Sequence, residues 1–128
     1  PLLEIAAEAL SDAEKRAALE DLGMRVWVLP GADGRVDLKA LMDRLGREEI
    51  DSVLIEGGGA IHYSALAAGI VQRLYVYVGA KLFGGEGAKT PVGGAGVAAV
   101  ADAFRLSAPR VEHFGRDLLL TYDLEKEM

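Results

Sequence analysis

The chain has 128 residues, 51% hydrophobic and 27% charged, with 14 basic against 20 acidic side chains and no cysteine. This is the composition of one globular domain, large enough to bury a core without disulfides or thiolate metal sites. A net charge of −6 lacks the basic footprint that nucleic-acid phosphates or an anionic membrane surface select, which argues against both as partners. No apolar run approaches the roughly 20 residues of a membrane span. Pro1-Leu2-Leu3-Glu4 has neither a basic n-region nor an apolar h-region, so the expected location is cytoplasmic.

Ser11-Asp12-Ala13-Glu14 has the form of a capping box and predicts a helix over about 12–22, carried by Ala17, Ala18 and Leu22 and ended by Gly23. Residues 24–29, with Val26, Trp27 and Val28, read as a short strand buried on both faces, closed by the turn formers Pro30-Gly31 and Asp33-Gly34. Asp37 then caps a helix whose Leu38, Leu41, Met42 and Leu45 share one face, with Gly46 behind them. Ile50, Val53, Leu54 and Ile55 read as a second short buried strand, running into Glu56 and three glycines.

A helix is predicted over about 60–68, stopped by Gly69. A strand follows over 71–78, with Tyr75 and Tyr77 on one face and Leu74, Val76 and Val78 on the other. Alternating strands and helices joined by right-handed crossovers imply a largely parallel sheet. Residues 79–96 hold seven of the 16 glycines plus Pro91, which predicts a long irregular loop of the kind that carries function. Beyond it, Phe104 and Leu106, then Leu118, Leu120, Tyr122 and Leu124, alternate as an antiparallel pair turning near Gly115-Arg116 would. The expected sheet is therefore mixed.

The chemistry concentrates in Ile55-Glu56-Gly57-Gly58-Gly59-Ala60-Ile61-His62-Tyr63-Ser64, placed where a strand's carboxyl end turns into a helix, the ligand-binding position of α/β sheets. Glycines let backbone amides approach a phosphate, and a helix N-terminus adds unpaired amides and partial positive charge. Glu56 beside that turn can accept hydrogen bonds from a substrate or move a proton. The same residues also suit a tight strand-to-helix turn with Glu56 at its solvated rim. Neither a Rossmann nor a Walker motif is present, because no acid follows at the end of the 71–78 strand and Gly87-Ala88-Lys89-Thr90 has Ala where the Walker loop needs Gly. His62 and His113 are spaced unlike metal ligands, and Ser64 lacks a nucleophile elbow. Lys81 at the loop entrance could pair with a substrate anion or be solvated, and Trp27 reads as core rather than a ligand platform.

In order along the chain, Glu56-Gly57-Gly58-Gly59, Ser64-Ala65-Leu66, Lys81-Leu82-Phe83-Gly84-Gly85, Thr90-Pro91-Val92-Gly93-Gly94 and Phe114-Gly115-Arg116-Asp117-Leu118 resemble the C-terminal reductase domain of the riboflavin biosynthesis protein RibD. The resemblance covers roughly residues 24–124. It implies a dihydrofolate-reductase-like α/β fold of three αβα layers, whose mixed sheet is mostly parallel with a C-terminal antiparallel hairpin. It also implies NADPH as cofactor and reduction of the ribosyl group of 5-amino-6-(5-phosphoribosylamino)uracil to ribityl. By the same resemblance Glu56 holds the substrate, and Gly58, Gly59, Ala60, Ile61, His62, Tyr63 and Ser64 receive the cofactor phosphates, with no metal and no assigned catalytic residue.

Val71-Gln72-Arg73 and Gly79-Ala80-Lys81 depart from the family's usual Val-Asp-Glu and Ala-Pro-Lys, a change to the local turn more than to the chemistry. Thr90-Pro91-Val92-Gly93-Gly94 resembles the bacterial branch, the archaeal and fungal alternative being a 2,5-diamino-pyrimidinone substrate. A non-catalytic phosphate-binding or dimerisation domain of the same fold is the remaining alternative. The resemblance further suggests that residues 1–128 are the C-terminal portion of one reductase domain, without its N-terminal part or a deaminase domain. Such a portion is expected to be weakly active or inactive alone and to form a homo-oligomer, with Tyr75, Tyr77 and the final strand offering surfaces for a second copy.

Overall fold

The computed structural model describes residues 3–6, 13–32 and 34–125. The chain divides into two compact units, Pro1–Leu54 and Ile55–Met128.

In the first unit β1 (Leu3–Ala6) pairs in parallel with β2 (Arg25–Val28), Leu3 opposite Arg25 and Ile5 opposite Trp27. The connection runs through α1 (Ala13–Asp21). Ser11 and Asp12 of the expected capping box lie outside the described residues. The C-terminal end of α1 is as expected, with Gly23 at φ 78° and its amide and that of Met24 closing onto Glu20 O and Leu19 O. The expected apolar side of α1 is not its inner one, however. Ala17 and Ala18 are exposed, Leu22 is 79% exposed, and Leu19 is the half-buried residue.

Trp27 is buried at 7% and has two guanidinium groups near its ring, Arg25 at 5.1 Å and Arg44 at 4.7 Å from the centroid. It is a core residue, as the sequence implies. β2 itself is covered unevenly rather than on both faces, since Arg25 is exposed. The following turn is closed by an antiparallel bridge between Pro30 and Val36, with Gly31 N donating to Arg35 O at 2.7 Å. That turn delivers Asp37 to the start of α2 (Leu38–Arg47), where its Oδ1 accepts from the amides of Lys39 and Ala40, 3.0 Å each. Leu45 is buried and Leu38, Leu41 and Met42 half-buried, as their spacing predicts. Gly46 does not end this helix. The left-handed residue is Glu49, φ 60°, with Ile50 N closing onto Leu45 O and Glu49 N onto Gly46 O.

The strand expected at 50–55 does not form. Residues 51–58 have no regular structure, and Ile50, Val53 and Leu54 are 44, 47 and 70% exposed. A strand exists only beside a neighbour that completes its ladder, and no described strand pairs with this run.

The second unit contains α3 (Gly59–Ala67), β3 (Arg73–Val78), β4 (Arg110–Phe114) and β5 (Asp117–Asp123). Its sheet has the order β3-β5-β4, antiparallel throughout. The hairpin turns at Gly115, φ 63°, as expected, but its first strand is 110–114, while Leu106 makes only an isolated bridge to Leu124. Among the described residues one pairing is parallel and two are antiparallel, so the preponderance of parallel pairing is not seen, chiefly because residues 50–55 join neither sheet.

β5 is central, which buries Leu119 and Thr121 at 7 and 4%, and in α3 Ala65 and Leu66 are buried. β3 alternates as its sequence implies, Leu74 and Val76 half-buried and Tyr75 and Tyr77 exposed at 52 and 70%. Pairing places Tyr75 beside Thr121 and Tyr77 beside Leu119 on one face. Residues 79–99 are irregular and almost wholly exposed. No helix among the described residues is long and apolar enough to cross a membrane.

Candidate functional site

The glycine-rich turn leads directly into α3. Gly58 is the N-cap in extended backbone, φ −77° and ψ 173°, and the helix begins at Gly59, one residue earlier than its composition suggests. Gly58 has no side chain, so no side-chain hydrogen bond caps the first turn. Ile61 N donates to Gly58 O at 3.1 Å, so the amides of Gly59 and Ala60 are the ones at this helix start that suit an anion. Gly57 is required by packing, because a Cβ there would collide with the Ile61 side chain. Glu56 is exposed at the entrance to this turn. At the other end of α3, Gly69 takes φ 68°, its amide and that of Ile70 closing onto Leu66 O and Ala65 O.

A second backbone segment lies against the start of α3. Gly93 N donates to Gly59 O at 2.9 Å, and a Cβ on Gly59 would stand 2.8 Å from Gly93 N and 3.0 Å from Thr90 O. Only a residue without a side chain allows this approach. His62 Nδ1 is hydrogen-bonded to Pro91 O at 2.8 Å, and Tyr63 OH donates to Gly96 O at 2.9 Å. The Tyr63 ring fills the space where a Gly94 side chain would stand and meets Phe104 edge-on, centroids 6.2 Å apart. Thr90 Oγ1 donates to Val92 O at 3.0 Å, stiffening the segment itself.

The predicted residues thus separate into groups. Gly58, Gly59 and Ala60 offer backbone at the helix start, while Ile61 packs over Gly57. The side chains of His62 and Tyr63 are engaged by the 90–96 segment, and Ser64 Oγ donates to Ala60 O at 3.0 Å within the helix. Lys81 is exposed, its amide turned onto Gly79 O at 2.8 Å, and neighbouring Leu82 and Phe83 are fully or nearly fully exposed. Sequence reasoning did not place 90–96 at this site; the signal was the Gly93-Gly94 pair behind Pro91. Beneath the same segment is an apolar cavity of about 320 Å³, lined by Tyr63, Leu66, Leu74, Val97, Phe104 and Leu106 among others.

Strong electrostatics lie elsewhere. Glu48 accepts from Arg25 at 2.7 Å and pairs with Arg44 at 3.5 Å, and the Arg25 hydrogen bond leads in holding its carboxyl below the usual carboxylate range. Asp123 is lowered in the same way, first by the hydrogen bond from Arg73 Nε at 2.7 Å. Neither pair includes a residue of the glycine-rich turn.

This glycine-built helix start, on an α/β scaffold, belongs to a known class: the chain is a member of the RibD C-terminal domain family, whose match covers residues 4–120. Among particular proteins it is 41% identical to the riboflavin biosynthesis protein RibD of Actinobacillus pleuropneumoniae over 92% of this chain and 31% of that protein. It is 33% identical to the 2,5-diamino-6-ribosylamino-4(3H)-pyrimidinone 5′-phosphate reductase of Methanothermobacter thermautotrophicus over 91% of this chain and 54% of that one. The chain therefore spans about a third to a half of the length of these relatives. In fold it is similar to RibD of Acinetobacter baumannii, with a TM-score of 0.76 at 21% identity over 97% of this chain and 31% of the other.

Proposed function

We propose that the chain forms the cofactor-binding side of an NADPH-dependent reductase of riboflavin biosynthesis, acting in the cytoplasm. Its substrate on this reading is 5-amino-6-(5-phosphoribosylamino)uracil, whose ribosyl group is reduced to ribityl. The observation that carries the proposal is the start of α3, where Gly58 leaves the first-turn amides without a side-chain cap in a chain of the RibD C-terminal domain family. This donor set suits phosphate, since aligned amides and the helix dipole both favour negative charge, and so the residues present fit the phosphate groups of NADPH.

When bound, the nicotinamide supplies the hydride. The backbone of Gly58, Gly59 and Ala60 holds the phosphates and so fixes where the cofactor lies. Ile61, His62, Tyr63 and Ser64 continue that turn and set its position, and the exposed Glu56 carboxylate accepts hydrogen bonds from the substrate. The protein's contribution is orientation, which can account for much of the barrier lowering in a transfer between two bound molecules. The substrate named for the Methanothermobacter thermautotrophicus reductase, a 2,5-diamino-6-ribosylamino-4(3H)-pyrimidinone 5′-phosphate, favours a second reading of the same site, and assaying both pyrimidines separates the two.

Because the chain spans about a third of its RibD relatives, we read it as the C-terminal portion of a reductase domain that binds cofactor better than it turns over. The exposed rings of Tyr75, Tyr77 and Phe114 support self-association of this portion, measurable by sedimentation. NADPH titration followed by nucleotide fluorescence and thermal shift tests the cofactor claim. Saturable binding with a raised melting temperature is expected, whereas no response at about millimolar NADPH overturns it. Glu56→Gln should leave that binding intact while abolishing substrate-dependent oxidation in whatever turnover the chain supports.

A further inference from the structure

We infer that His62 and Tyr63 are positioning residues, which clamp the 90–96 segment onto the first turn of α3 and thereby fix the second wall of the anion site. The clamp stands on geometry alone; its functional consequence rests on the cofactor reading above. A carbonyl oxygen only accepts, so the 2.8 Å contact between His62 Nδ1 and Pro91 O requires the proton on Nδ1. In the neutral ring Nε2 is then the bare acceptor, and the tautomer is dictated by a backbone atom 29 residues away.

Tyr63 acts five residues beyond that point, its hydroxyl donating to Gly96 O at 2.9 Å while its ring takes the space above Gly94. Between them Gly93 N closes onto Gly59 O at 2.9 Å. The segment has no helix or strand of its own, and all of it but Gly93 is exposed, so burial does little to hold it. These three bonds do. Holding the segment in place before a ligand arrives removes an ordering cost that binding would otherwise carry.

The test uses the two amides that mimic the two ring nitrogens. Asn places its NH2 near the Nδ1 position and Gln near Nε2, so His62→Asn should preserve the clamp and His62→Gln should break it. Amide hydrogen exchange of residues 90–96 in the ligand-free chain reads the clamp directly, without any assumption about function. Nitrogen shifts read the tautomer, and the chain has only two histidines to assign. Expected are an Nδ1–H tautomer at His62, faster exchange over 90–96 in His62→Gln and Tyr63→Phe, and near-native exchange in His62→Asn. In those same two loosened variants the Kd for NADPH should rise by up to about tenfold, the usual worth of one hydrogen bond, with Tm lowered by about a few degrees.

An Nε2–H tautomer, or exchange unchanged in both loosened variants, overturns the clamp. Looser exchange with an unchanged Kd overturns the positioning role and leaves only a structural contact. If the native chain binds no NADPH, the cofactor reading fails, and the positioning role with it, while the exchange pattern still decides whether the clamp exists.

Discussion

At the start of α2 the Asp37 carboxylate accepts from two first-turn amides at 3.0 Å. At the start of α3 the same position is Gly58, and no side chain caps the helix. Both helices present the same backbone donors and the same dipole end, and both are of similar length, ten and nine residues. One satisfies its donors internally and is thereby closed to outside anions. The other closes only Ile61 N, onto Gly58 O, gives Gly59 and Ala60 no side-chain cap, and packs Gly57, Gly59 and the 90–96 segment where a capping side chain would have contributed. On the proposed function, a helix start that forgoes its cap and is fitted with glycines where another backbone comes close serves a ligand more than stability.

The largest break in this comparison comes from Gly59→Ala. The added Cβ would stand 2.8 Å from Gly93 N and 3.0 Å from Thr90 O, both backbone atoms, so the segment must move. We expect a loss of about 1–3 kcal/mol, typical of overpacking, together with loss of NADPH binding, checked by urea denaturation and titration. Gly46→Ala, which meets nothing within 4 Å inside α2, is the matched control and should be neutral or stabilising by about 0.5–1 kcal/mol.

Converting α3 to the α2 design sharpens the point further. Gly58→Asp adds a Cβ into open space on extended backbone that suits a cap. Its carboxylate should take the amides and repel phosphate, weakening NADPH binding about tenfold or more, equivalent to about 1.4 kcal/mol, while the melting temperature holds or rises. Weakened binding without destabilisation is the signature; unchanged affinity would place the phosphates elsewhere. The reverse change, Asp37→Ala, should cost about 1 kcal/mol of stability and leave the affinity for NADPH as it was.

The smallest effect concerns pH. Glu48 is held below the usual carboxylate range by Arg25, so the pair contributes stability above the unfolded carboxylate pKa and loses it as pH falls through the lowered folded value. Because the pair is largely solvated, Glu48→Gln should only flatten the acid side of the stability profile slightly. NADPH affinity near neutral pH should be unaffected, since the carboxylate stays ionised there.

The three helices were legible because their signals are local. Asp37 lies within three residues of the amides it caps, and Gly23 and Gly69 follow their helices at the left-handed position. Glu49 shows where this fails: a residue with no special preference takes φ 60° because the helix runs past Gly46 to Arg47 before Leu45 O and Gly46 O are closed. The alternation of β3 was likewise readable, as was the irregular 79–96 loop. The strand expected at 50–55 was not, because Val53, Leu54 and Ile55 are apolar enough for a strand whether or not a neighbour exists to pair with them.

The site divides along the same line. Sequence alone determined that a glycine-rich turn behind Glu56 opens a helix, because backbone freedom and helix polarity are properties of the residues themselves. Only the tertiary structure decided what His62 and Tyr63 do. Their side-chain partners are Pro91 O and Gly96 O, 29 and 33 residues away, whereas Ser64 Oγ donates to Ala60 O inside its own helix. Nothing in the local sequence specifies which distant carbonyl the fold will bring within 3 Å of an imidazole or a phenol. The direction of those two side chains is settled by long-range packing, whereas the turn that carries them is settled by its own residues.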